Sequence, residues 1–234
     1  MLDPEVRTEL RPLARETADA VARHLVVTGR LLEDDPQQAL AHARAARALA
    51  GRVGPVREAA GLAAYMAGEW AEALAELRAE RRITGSSAHL PVMADCERAL
   101  GRPERALAFG DDPAVASLDQ AVRVELVIVL AGARRDLGQV DAAVVQLQDP
   151  ARRTRRNRPW APRLWYAYAD ALLAAGRTSE ARQWFAAAAD ADAEATTDAE
   201  DRLLELDGVV FEDLQQGDDE LVADDREGPT GTPV

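Results

Sequence analysis

Apolar positions along most of the chain recur every three to four residues, the period of one helix face. That pattern is broken at regular intervals. Four segments share one layout: an apolar-periodic helix, a glycine, a short turn, and a second helix with alanine five residues after the glycine. The glycines are Gly68, Gly101, Gly138 and Gly176, spaced 33, 37 and 38 residues apart, and the alanines are Ala73, Ala106, Ala143 and Ala181. One further step back, the turn Glu33-Asp34-Asp35-Pro36 is followed by Ala39, which adds a fifth, more divergent unit. The pattern predicts about five helix pairs and no sheet.

Each part of the layout has a physical reason. Glycine ends a helix in the left-handed conformation without a Cβ penalty. The second helix then opens with proline at its first position, as in Asp35-Pro36 and Arg102-Pro103, or with Thr178 as a cap. The alanine falls where the two antiparallel helices cross, and its small side chain lets the backbones approach. Leu77, Leu147 and Phe185, one turn later, are the expected fillers between neighbouring pairs. At the ends, Asp3-Pro4 starts a helix whose face continues through Leu10, Leu13 and Thr17. Thr197-Asp198-Ala199-Glu200 reads as a capping box opening a final helix through Leu206.

The best-formed unit is Trp165-x2-Tyr168-Ala169-x2-Leu172, then Gly176, Ala181-x3-Phe185 and Ala188. The next is Gly61-x2-Ala64-Tyr65-x2-Gly68-x-Trp70-x2-Ala73-x3-Leu77. The others keep Leu130-Ala131, Gly138, Ala143-x3-Leu147 in one case and Ala94, Gly101, Ala106 in another. These residues and spacings resemble the tetratricopeptide repeat, a helix-turn-helix unit of about 34 residues. The resemblance covers roughly residues 14 to 194, although most of the family's Trp, Leu and Tyr positions are replaced. It implies an all-α solenoid over residues 1–206 with a terminal capping helix; a generic α-solenoid or an irregular helical bundle remains the alternative. It also implies a concave groove, lined by the first helix of each pair, that holds an extended peptide. On this chain that face maps to His24, Thr28, Glu58, Leu62, Tyr65, Asp95, Arg98, Glu125, Ile128, Arg135, Arg163, Tyr166 and Asp170. The carboxylate clamp of chaperone-binding members needs Lys and Asn, and this chain offers only Asn157.

Composition sharpens the picture. Alanine accounts for 49 residues and aromatics for 4%, which favours closely packed helices over strands. All 28 basic residues are Arg, so Walker-type P-loops, Schiff-base lysines and the protein-kinase signature are excluded. The net charge of −13 is unevenly spread: from Asp190 onward there are 16 acidic residues and two Arg, while the preceding body is nearly neutral. Residues 207–234 read as an acidic tail, disordered at least from Gln215 onward because it has too little apolar surface to bury. Within Leu206–Leu214, Val209, Val210 and Phe211 form a short apolar segment flanked by acids, suited to docking beside an Arg-lined surface. The charged N-terminus lacks a signal-peptide core, and the single Cys96 fits a reducing cytoplasm.

No catalytic constellation emerges. His24, His42 and His89 lack the i, i+4 spacing of a shared metal site, and Cys96 has no CxxC partner. Asp34-Asp35 and Asp111-Asp112 precede prolines and read as caps. Two features stand out. One is the groove with Arg98, Arg135 and Arg163 beside Tyr166, Tyr65 and Leu62, which biases its C-terminal half positive. The other is Arg152, Arg153, Arg155, Arg156 and Arg158 followed by Trp160, five Arg in seven residues on an expected inserted loop. Arg forks bind carboxylate and phosphate bidentately, and an adjacent Trp can stack on a base. The expectation is a non-catalytic scaffold without cofactor or metal, binding a peptide or protein partner, possibly acidic, in the groove. The alternative is an RNA- or nucleotide-associated protein using the Arg loop.

Overall fold

The computed structural model describes residues 2–208. They form twelve α-helices and, among the described residues, no strand. In chain order these are α1 (Pro4–Leu10), α2 (Arg15–Leu31), α3 (Pro36–Ala50), α4 (Gly54–Met66), α5 (Trp70–Thr84) and α6 (Leu90–Ala99). There follow α7 (Pro103–Leu107), α8 (Gln120–Asp136), α9 (Val140–Arg153), α10 (Ala161–Ala174), α11 (Thr178–Ala191) and α12 (Ala199–Leu206). No helix among these residues is long and apolar enough to cross a membrane.

The helices pair as α2/α3, α4/α5, α6/α7, α8/α9 and α10/α11, with turns at the places the glycine spacing predicts. The four glycine turns are copies of one backbone structure. Gly68, Gly101, Gly138 and Gly176 have φ of 78°, 71°, 72° and 74°. In each, the amide after the glycine returns to a carbonyl five residues back: Glu69 to Ala64 at 2.8 Å, Arg102 to Glu97 at 2.9 Å, Gln139 to Arg134 at 2.8 Å, and Arg177 to Leu172 at 2.9 Å. This is the Schellman closure, and it satisfies carbonyls that the helix end would leave orphaned.

The turn delivers the following alanine to the helix crossing. Ala39, Ala73, Ala106, Ala143 and Ala181 are all fully buried, and Leu77, Leu147 and Phe185 are buried one turn later. The α4/α5 crossing is tightest: a Cβ on Gly61 would lie 2.6 Å from the Leu77 side chain. Each pair then packs on the next through α3/α4, α5/α6, α6/α8 and α9/α10, and α12 covers α11. The apolar interior follows this order. One cluster around Val21, Leu25 and Val56 lies at the N-terminal end, one around Leu40, Leu77, Leu90 and Leu126 in the middle, and one around Leu147, Tyr168, Leu172 and Phe185 at the C-terminal end.

Several local expectations are corrected. The face from Leu10 to Thr17 is not one helix: α1 stops at Leu10 and α2 starts at Arg15, because Pro12 has no amide to continue the helical hydrogen bonds and the backbone is extended at Ala14, where ψ is 142°. In the third pair, α7 runs only five residues and gives way to 3-10 turns at Ala108–Asp111 and Pro113–Ser117. Pro113 favours the extended backbone seen at Asp112, whose side chain caps the second turn by accepting from the Ala114 amide at 2.9 Å. Thr178 is the first helical residue of α11 rather than its cap. The capping box at Thr197 does not form either. Thr196 and Thr197 instead give four hydrogen bonds, 2.7 to 2.8 Å long, to the Asp192 carboxylate. Burial works against the Asp192 charge, but these donors outweigh it and hold the carboxyl below its usual range. Arg152 and Arg153 lie in the last turn of α9, so the linker to α10 is only residues 154–160. Of the acidic tail, residues 209–234 lie outside the described residues.

A charge at a crossing alanine has neither space nor partner, which is a mechanism of severe destabilisation. Ala73→Glu and Ala181→Glu are each expected to cost about 3 kcal/mol or more, seen as a lower urea midpoint. Val145→Glu on the same kind of helix, at a site 69% exposed, leaves the midpoint nearly unchanged. An unchanged midpoint for Ala181→Glu would break the assignment of the crossing.

Candidate functional site

The face shared by α4, α6, α8, α10 and α12 is built from charged side chains that reach from one helix to the next. Tyr65 on α4 donates its hydroxyl to Asp95 on α6 at 2.7 Å. Asp95 also accepts from Arg98 one turn later at 2.9 Å, and Arg98 extends to Asp136 on α8 at 2.8 and 3.3 Å. Arg135 on α8 donates to Asp170 on α10, and Arg202 on α12 stands 3.8 Å from the same carboxylate. A parallel row joins Glu58 on α4 to His89 at the start of α6 (2.9 Å) and Glu125 on α8 to Arg163 on α10 (2.9 Å). Successive helices of the face are therefore cross-linked by at least one polar contact.

Between α6, α8, α10 and the segment from Ala195 to Asp201 this face opens into a cleft of about 690 Å³. Ile128, Ala131, Gly132, Leu147 and Ala167 give it an apolar floor. The rim carries Arg98, Arg135 and Arg163 against Asp170, Asp198 and Asp201, with Tyr166 at one side. Gly132 has a definite role, because a Cβ there would lie 2.6 Å from the Arg98 guanidinium. Its absence lets Arg98 lie flat across α8 and reach Asp136. The Tyr166 hydroxyl is driven above its ordinary range by burial and then by Asp198 beside it, so it acts as a neutral donor. Glu125 is also pushed up by burial, and Arg163 offsets part of that shift.

Six residues mapped from the sequence line this cleft: Arg98, Ile128, Arg135, Arg163, Tyr166 and Asp170. Others fall elsewhere. Tyr65 packs edge-on against Trp70 at 5.4 Å, and neither it nor the half-buried Leu62 lines the cleft. Thr28 is buried and donates to the His24 carbonyl at 3.0 Å. His24 faces His42, Nδ1 to Nδ1, at 2.9 Å. The positive bias expected from Arg98, Arg135 and Arg163 is not realised, because each guanidinium already holds a carboxylate of the chain. Sequence reasoning missed Asp136, Asp198, Asp201 and Gly132. The signal for Asp136 was present, since it directly follows Arg135 and stands two residues before the turn glycine Gly138. The segment 195–201 carries no repeat signal at all.

The Arg run is divided by the structure. Arg153 pairs with Asp149 at 2.9 Å, Arg158 lies over the Trp160 ring at 5.4 Å, and Arg156 turns away to donate to the Asp190 carbonyl. Arg152 and Arg155 are exposed. Elsewhere, burial first and the flanking Asp95 and Glu97 second push the Cys96 thiol up to about 12, which keeps it protonated. Native Cys96 is accordingly expected to resist thiol reagents at neutral pH and to react only as the chain unfolds, which a reagent-labelling time course in urea will read.

The His89–Glu58 pair gives the face a pH dependence with a defined sign. The hydrogen bond to Glu58 raises His89 above its ordinary value, although burial opposes the shift. A raised folded-state pKa adds stability that is complete below about pH 6.5, the unfolded value, and is lost as pH rises through the folded value. Wild type should therefore lose stability relative to Glu58→Gln between pH 6 and 8, measured as the difference in urea midpoints at each pH. Parallel curves for the two proteins would show that the pair contributes nothing.

Against known proteins, no family model and no curated protein matches the chain.

Proposed function

We propose that the chain is a non-catalytic protein-interaction module, a tetratricopeptide-like solenoid that takes a peptide or protein partner in the cleft between α6, α8 and α10. The observation that supports this reading is the combination of an apolar floor with rim arginines that are already paired. A partner side chain of large apolar type reaching Ile128 and Leu147 would gain about 1.5 to 3 kcal/mol from burial. Each rim arginine already holds a carboxylate, so the rim has no spare positive charge with which to select an acidic partner. An acidic group would have to displace Asp136, Asp170 or Glu125 from its arginine, an exchange of like for like with little net gain. Selection therefore falls on the apolar anchor, while the fixed guanidinium and carboxylate groups direct the partner's backbone.

The rival reading, an RNA-associated surface along Arg152–Arg158, needs a continuous basic track. Arg156 leaves the run for Asp190, so a linear polyanion would meet a broken one.

Selecting displayed random peptides on the full chain is expected to enrich one large apolar residue at a fixed position. Ile128→Asp should weaken the selected peptides by about tenfold or more, and Arg155→Gln should leave them unaffected, with both variants checked for helicity. Equal binding to Ile128→Asp, or capture from cell extract of partners that all vanish on nuclease treatment, would overturn the proposal.

A further inference from the structure

A second cleft, of about 640 Å³, lies between the N-terminal half of α8 and the α9–α10 linker. It shares no lining residue with the first. Four guanidinium groups line it, from Arg123, Arg153, Arg155 and Arg158, against one carboxylate, Asp149. We propose that this cleft is a binding site for a compact, multiply charged oxyanion of the phosphate class, either inorganic phosphate or the phosphoryl group of a small phosphomonoester.

Three of the four arginines are positioned before any ligand arrives. Arg123 donates to the carbonyls of Ala116 and Leu118, both at 3.0 Å. Arg153 is held by Asp149 at 2.9 Å, and Arg158 stacks over the Trp160 ring at 5.4 Å. Each uses only part of a guanidinium that has five N–H donors, which leaves donors for an anion. Neither Arg155 nor Arg158 has a carboxylate within ion-pair distance among the described residues. Four positive charges against one negative leave an excess that a dianion relieves, whereas a single carboxylate falls short.

Trp160 lines this cleft with Arg158 over its ring, so the indole reports on what occupies the space beside it. The site also favours a compact ligand over a polymer, because Arg156 is directed away to α11 and Arg152 does not line the cleft.

The test uses the ¹⁵N-labelled full chain at low salt, titrated in parallel with inorganic phosphate, with phosphoserine and with a single-stranded RNA oligonucleotide. The Trp160 indole resonance, assigned by Trp160→Phe, should move saturably with phosphate or phosphoserine, and the tighter of the two names the source. Arg155→Gln/Arg158→Gln should weaken that response by about tenfold, and added NaCl should weaken it progressively, while Arg98→Gln in the first cleft leaves it unchanged. Three results would overturn the proposal: no saturable shift, an equal response in the double variant, or RNA binding far tighter than phosphate with a salt slope of several phosphates. None of these bears on the peptide reading, which rests on Ile128.

Discussion

Everything in this structure depends on how closely two helix backbones approach where they cross. The approach is set by a left-handed glycine followed, five residues on, by an alanine. The glycine bends the chain back on itself and satisfies the helix end in the same step, through the amide-to-carbonyl closure repeated at Glu69, Arg102, Gln139 and Arg177. The alanine then occupies the crossing with no side chain to hold the helices apart. Because these turns are nearly identical, the first helices of successive pairs come to lie side by side on one face. The polar ladder from Tyr65 to Arg202 is a consequence of that placement.

The ladder and the turns constrain each other. Arg98 reaches Asp136 only because Gly132 leaves room for its guanidinium. Asp136 stands at the end of α8 immediately before the turn that Gly138 closes. The same interdependence appears on the other side of the pairs, where Glu76 on α5 is nearly buried and accepts from Arg47 at 2.5 Å and from Arg57 at 2.6 Å. One carboxylate thus ties α3 and α4 to α5. Removing Glu76 alone would leave two guanidinium groups without their shared partner. Removing either arginine would leave the buried carboxylate half-satisfied, the costlier outcome.

Much of this was readable from the chain. The turn positions, the crossing alanines and the fillers Leu77, Leu147 and Phe185 follow from local rules that act within a few residues, and the structure keeps them. Six of the groove residues also come together, since the first-helix faces share one register. What the sequence did not disclose is pairing over long separations. Nothing local says that Asp170 receives both Arg135 and Arg202. At short range, Asp192 takes the hydroxyls and amides of Thr196 and Thr197 in competition with the capping box that their spacing advertises. Composition misled at one point. A row of arginines on a mapped face reads as a positive surface until the opposing carboxylates, 35 to 38 residues away, are placed against it.

The absence of lysine has a structural meaning whatever its genomic origin. A guanidinium is a planar fork with five donors, so one arginine can bridge two acceptors on different helices. Arg98 does so between Asp95 on α6 and Asp136 on α8, while Arg47 on α3 grips two carboxylates of one helix, Glu72 and Glu76 of α5. An ammonium could match either contact but would be a single point charge between two acceptors, with no planar geometry to fix the angle between helices. In a stack whose apolar layer is largely alanine, large side chains interlock less than they do in a leucine-rich core. Orientation between neighbouring pairs then falls more heavily on such bridges, and the groove inherits its shape from them. The arginines that line the cleft therefore serve its architecture before they serve any ligand, and this is why the recognition proposed for the cleft is assigned to the apolar floor between them.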